Sequence, residues 1–129
     1  MKRVKASAIQ VAHTFQQSVN VAQVRFEWGE LVVSLLSAGD RKAATVRFSE
    51  ASGFRLLDEG DLLEFWPACA KDNGWLFVVH ENGWFDLELS RSGFLRDKSL
   101  GEAEYFIASE NHCVSILSSA PPDVIVYSV

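Results

Sequence analysis

The sequence is short of the residues that cross-link a chain, break it or ligate metals. Among 129 residues there are two cysteines, three histidines, three prolines and one methionine. The basic start MKRVK is followed by Ser7, Gln10, His13 and Gln16 and by no long apolar stretch, which predicts no secretory leader. Cys69 and Cys113 are therefore expected to be reduced thiols in a cytoplasmic protein. No apolar run approaches the roughly 20 residues needed to cross a bilayer. The metal spacings C-x-x-C, H-x-H and H-E-x-x-H are missing, as are the phosphate-binding G-x-G-x-x-G and Walker loops and the G-x-S-x-G elbow. Internal repeats and low-complexity tracts are also missing, and the only proline pair is Pro121-Pro122.

Apolar residues are plentiful. They make up 48% of the chain, with nine Phe, four Trp and two Tyr, which is enough for a packed core without staples. The length fits one β-rich domain over 1–129, in which 1–20 form a loosely attached lead-in. In that lead-in Ala8, Ala12, Phe15 and Val19 fall at helical spacing, while Ile9 and Val11 suit a strand within Val4–His13; the thin apolar stripe favours strand or irregular chain. The net charge is −5, unevenly spread: residues 1–49 carry seven Lys/Arg against three Asp/Glu, and residues 50–129 carry five against fourteen. The acidic part repels polyanions and attracts basic partners. The bland alternative is that these acids only keep the chain soluble.

From residue 21 the apolar period is two. Val24, Phe26 and Trp28 alternate with polar residues, Gly29 marks a turn or bulge, and Leu31, Val33 and Leu35 follow. After a loop at Ser37–Lys42, Ala44, Val46 and Phe48 complete an antiparallel meander. Gly53 introduces another strand, FRLL. Asp58 then caps one short helix near 58–66, with Leu62, Leu63, Phe65 and Trp66 on its apolar side and Pro67 as its stop. Residues 91–102 read as a polar loop. Tyr105–Ser109 and Cys113–Ser118 read as a hairpin, with a short helix from Ser109 as the rival, and Val124–Val129 as a final strand. The expected fold is mainly β: an antiparallel β-sandwich or open barrel of seven to nine strands with that single short helix.

The strongest local signal is WLFVVHENGWFDLELS, residues 75–90. Asn82-Gly83 is the preferred pair for a type I′ corner, because both positions must accept positive φ. A hairpin about that corner puts Leu76, Val78, His80, Phe85, Leu87 and Leu89 on the core face, with His80 a core histidine. Trp75, Phe77, Val79 and Glu81 lie on the other face beside Trp84, Asp86 and Glu88. Aromatics ringed by acids suit the centre and rim of an interface, so Trp75, Phe77, Trp84, Asp86 and Glu88 are the candidate partner-binding residues. The structural alternative is that a helix or second sheet covers these aromatics.

Other chemistry is weaker in the sequence. His112-Cys113 are adjacent, but neighbours on a strand point to opposite faces, so Cys113 reads as a buried structural thiol rather than a nucleophile. The possible metal ligands His13, His80, His112, Cys69 and Cys113 are scattered, and neither metal nor cofactor is expected. Asp86 and Glu88 form a carboxylate pair on one face, the seed of an alternative reading as a hydrolytic or small-ligand domain with Trp75 or Trp84 as a stacking wall. The acids at Asp58, Glu59, Asp61 and Glu64 read as a solvated first turn. Arg25, Arg41, Lys42 and Arg47 beside Phe26 and Phe48 could suit an oligonucleotide-binding barrel, but those two phenylalanines are expected to face the core, and no nucleic-acid role is assigned.

The stretches VRFSEASGFRLLDEGDLLEFW (46–66) and YFIASENHCVSILSSAPPDV (105–124) resemble small bacterial proteins of unknown function, some similar to immunity proteins of polymorphic toxin systems. The resemblance implies a compact, acidic, non-enzymatic binding protein that occludes a basic toxin, and it assigns no residue. A structural homo-oligomer paired through the Val124–Val129 edge is a further alternative.

Overall fold

The computed structural model describes residues 1–9, 11 and 14–129. Gln10, Ala12 and His13 lie outside the described residues; they include the far end of the expected Val4–His13 strand and one of the scattered histidines. Among the described residues nine strands form two antiparallel sheets: β1 Lys5–Ala8, β2 Asn20–Glu27, β3 Glu30–Ser37, β4 Lys42–Phe48, β5 Ala51–Asp58, β6 Leu76–Glu81, β7 Ala103–Ile107, β8 His112–Ser118 and β9 Asp123–Ser128. One sheet runs β1-β6-β7-β8-β5 and the other β2-β3-β4-β9. The mainly β, sandwich-type expectation holds. Among the described residues no helix is long and apolar enough to cross a membrane.

Alternation explains the meander. In β3 and β4, Leu31, Val33, Leu35, Ala44, Val46 and Phe48 all point to the facing sheet and are buried. They meet Leu76, Tyr105, Ile107, Val114 and Ile116 from the five-stranded sheet, and Phe48 lies 5.4 Å from Tyr105 between ring centroids. Each such large side chain contributes about 1.5–3 kcal/mol by leaving water.

The five-stranded sheet is covered on its second face as well. There Phe77, Val79, Phe106 and Cys113 pack against Leu62, Phe65 and Cys69 from the connection between β5 and β6. Phe65 stacks on Phe106 with centroids 4.4 Å apart. Asp58 does cap, its Oδ1 accepting from Gly60 N at 2.8 Å, but the turn it caps is a 3-10 segment, Glu59–Asp61. The α-helical turn that follows, α1, spans Trp66–Cys69. Pro67 therefore opens a helix instead of ending one: at the first turn its missing N–H costs nothing.

Residues 82–90 depart most from the sequence reading. No hairpin forms at Asn82-Gly83. Asn82 is left-handed at φ 65°, but Gly83 is extended at φ −94°, and a type I′ corner needs both positive. The chain instead enters a second helix, α2, Trp84–Leu89. β6 pairs with β1 and β7 in place of the expected partner. His80 is exposed, with Nε2 2.8 Å from Ser7 Oγ. Leu87 and Leu89 are exposed rather than in the core. The two-residue corner with positive φ at both positions falls at Trp28 (53°) and Gly29 (81°), joining β2 to β3. Trp28 is thus not a strand residue; it stands at a hairpin tip, 97% exposed. Phe26 follows the register of Leu31 and Phe48, yet it is 51% exposed, because β2 and β5 are both edge strands and leave that corner open. Its ring packs only 5.9 Å from Phe54.

The hairpin at 105–118 is present as β7 and β8, not as the rival helix, and the last strand is β9.

Candidate functional site

The structure separates the five residues expected to share one contact face. Trp75 is buried between the sheets, with the Phe15 ring edge-on at 5.3 Å. Phe77 is buried on the opposite side of the five-stranded sheet. Trp84, Asp86 and Glu88 stay together on α2, half-buried. The two acids no longer lie along a strand, and each is tied to a cation. Asp86 meets Lys98 at 2.7 Å and accepts from Asn82 N. Partial burial pushes its carboxyl up, but those contacts outweigh it and hold it below the usual range. Glu88 meets Arg91 at 2.8 Å and accepts from Trp84 Nε1, and its carboxyl is likewise held down, chiefly by Arg91.

The group that fixes α2 is one the sequence reading passed over. Glu104, on β7, is 1% exposed. Its carboxylate accepts from Phe85 N at 2.7 Å and from Trp84 N at 3.0 Å, which satisfies two donors of the helix's first turn. Arg55, from β5, lies with its guanidinium carbon 5.5 Å from the Trp84 ring and 5.9 Å from the Phe65 ring; burial pushes the Glu104 carboxyl up, against the pull of the two amides and of the Arg55 charge. A lone acid in the apolar run AEYFI was the available signal. Glu104 and Arg55 together support the helical layer.

Neither thiol is poised for chemistry. Burial pushes Cys69 up to about 12 and Cys113 up to about 11, and Cys113 Sγ donates to Ser109 O. Among the described residues no group of three or more His, Cys, Asp or Glu side chains could hold a metal ion.

Clefts open on the surface among the described residues. One, of about 740 Å³, lies under the 93–102 loop and has a mixed lining, with Phe94, Leu95 and Leu100 beside polar groups, Ser52 hydrogen-bonded to Glu102 and Arg96 3.6 Å from the same carboxylate. Another, of about 700 Å³, lies at the end of the sandwich. Its apolar walls are Phe15, Trp66 and Trp75, and its rim carries Glu59, Asp72 and Glu110. Local contacts set this shape. Trp66 Nε1 donates to Glu59 O at 2.9 Å, which fixes the indole beside the acid. Asp40 Oδ2 accepts from Gln16 N and Gln17 N, which anchors the 15–19 wall to the β3–β4 turn. Among the described residues the one cation in the lining, Lys71, donates to Ser18 Oγ at 2.7 Å.

The charge around this cleft is unbalanced. Among the described residues, Asp58, Glu59, Asp61, Glu64, Asp72 and Glu110 form no ion pair, whereas Glu30, Glu81, Asp86, Glu88 and Glu102 each do. Half of the twelve acids without an ion pair lie on the segments that flank the Trp66–Trp75 cleft, and Glu59, Asp72 and Glu110 line it. Trp75 is the one predicted site residue that lines it. No family model, curated protein or solved structure matches the chain.

Proposed function

We propose that the protein is a non-enzymatic binding protein that captures a basic partner, seating a cationic side chain in the cleft between Trp66, Trp75 and Phe15. The carrying observation is the coincidence of an aromatic-walled cleft with a rim of unpaired carboxylates, Glu59, Asp72 and Glu110. A Lys or Arg side chain gains from ring faces by cation–π attraction, and more so once water is displaced. The surrounding acids speed encounter with a basic surface and disfavour an acidic one. An immunity protein that covers the basic, polyanion-binding surface of a toxin is one form of this role.

An arginine-rich peptide is the direct probe. Calorimetry at low salt should show binding that weakens as salt rises. Reversing charge at the rim with Asp72→Lys and Glu110→Lys should weaken it at least ~10-fold, about 1.4 kcal/mol. The same reversal at Glu27 and Glu30 should not. No binding, or equal loss in both double variants, defeats the proposal.

A second reading takes support from the cleft's size, which lies within the range of small-molecule sites. Trp75 supplies the stacking wall that reading requires. It differs by expecting salt-independent affinity for a neutral aromatic or sugar probe.

A further inference from the structure

The two sheets have four outer strands: β1 and β5 in one, β2 and β9 in the other. Exposed strand edges invite pairing with another chain, and most proteins blunt them. Three of the four are blunted here. β1 is four residues long and carries Lys5, and its register shifts after that residue. β2 carries Arg25 and a register shift between Val21 and Gln23. β5 carries Arg55 and a shift between Ala51 and Gly53.

β9 has none of these devices. It reads DVIVYS, with no cation and no internal proline, and its register with β4 is unbroken from Asp123 to Ser128. Ile125 is 62% exposed and Tyr127 46%.

The register fixes which backbone groups are free. Val129 N donates to Arg41 O, so residues 129, 127, 125 and 123 turn their N–H and C=O toward β4. Val124, Val126 and Ser128 turn theirs outward. Two such edges related by a two-fold axis must set outward residues against outward residues. Centring the axis on Val126 pairs Val124 with Ser128, Val126 with itself and Ser128 with Val124. Shifting the centre by one residue toward the N-terminus brings Pro122, which has no N–H, into the ladder.

The same arrangement is complementary in charge. Asp123 marks one end of β9; Arg41 and Lys42 lie beside the other end, opposite Val129 and Ser128. Antiparallel pairing brings Asp123 of each copy to the Arg41–Lys42 end of its partner. It also sets Ile125 of each copy across from Tyr127 of the other, on one face.

We propose that β9 pairs with β9 of a second copy about an axis through Val126, joining two four-stranded sheets into one of eight strands. This interface is independent of the Trp66–Trp75 cleft. Sedimentation from micromolar to millimolar protein should show conversion from 14.4 kDa to twice that mass. Val126→Lys and, separately, Val126→Pro should keep the β circular-dichroism spectrum and shift the midpoint of assembly upward at least ~10-fold, through the added charge or the lost outward N–H.

Cross-linking tests the axis, because only a residue on it meets its own copy. Val126→Cys should form interchain disulfides under mild oxidation far faster than Val124→Cys or Ile125→Cys. A wild-type monomer at every concentration overturns the proposal. So does a dimer that survives both Val126 variants, or cross-linking no faster at 126 than at 124.

Discussion

Glu104 and Gly83 are a matched pair: a β-carbon on residue 83 would stand 2.7 Å from both carboxylate oxygens of Glu104 and 2.6 Å from Val79 Cγ1. The missing side chain lets the buried acid reach the first two amides of α2. Gly83→Ala should therefore destabilise the fold by about 1–3 kcal/mol through overcrowding alone, since φ −94° suits alanine. Denaturant unfolding measures this; an unchanged midpoint would show that the carboxylate can move aside without cost.

Glu104→Gln should lower stability by about 1–3 kcal/mol in mildly acidic buffer, since one of two buried amides loses its acceptor. The pH dependence has a definite sign. Burial pushes the Glu104 carboxyl above the usual range, against the pull of Phe85 N–H, Trp84 N–H and Arg55. The folded chain then binds this proton more tightly than the unfolded chain does. Stability from the group is greatest below the ordinary carboxylate value and falls as pH rises through the raised one. The gap between wild type and E104Q should shrink across that window. A gap that widens with pH would mean that the two amides and Arg55 outweigh desolvation.

Both cysteines should resist thiol reagents in the folded protein. The thiolate is the reactive form, and burial holds both groups far above neutral pH. Labelling followed by mass spectrometry should find the native chain unmodified and both thiols modified on unfolding. Rapid native labelling of either would contradict the packing around Phe65 and Phe106.

Trp28→Asn should stabilise the protein by about 1 kcal/mol, because a bulky residue at positive φ is strained where Asn is tolerated. Trp28 makes no compensating burial at 97% exposure. Its removal should also eliminate the indole emission most accessible to quenchers. A drop in stability would indicate that the exposed ring braces the corner in some other way.

The strands that the sequence made legible are those buried on one face. β3 and β4 alternate because one side meets the other sheet, and β9 reads as a strand because its β-branched residues sit on a pleated edge. β6 was legible as a strand but not in its pairing: Leu76, Phe77 and Val79 are all buried, so alternation carries no facing information. Asn82-Gly83 misled because its fate is set by Glu104, 21 residues further on, which offers the following amides an acceptor that a hairpin would leave idle. The cleft was legible only in part. The acids at 58–61 do sit on an exposed turn, and Asp72 is three residues from Trp75, but nothing local brings Glu110 or Phe15 to the same place.

The five-stranded sheet serves as a party wall between two separate apolar compartments. A substitution that crowds the Phe65–Phe106 layer and one that crowds the Val46–Ile116 layer therefore share no direct neighbour, and their costs should add.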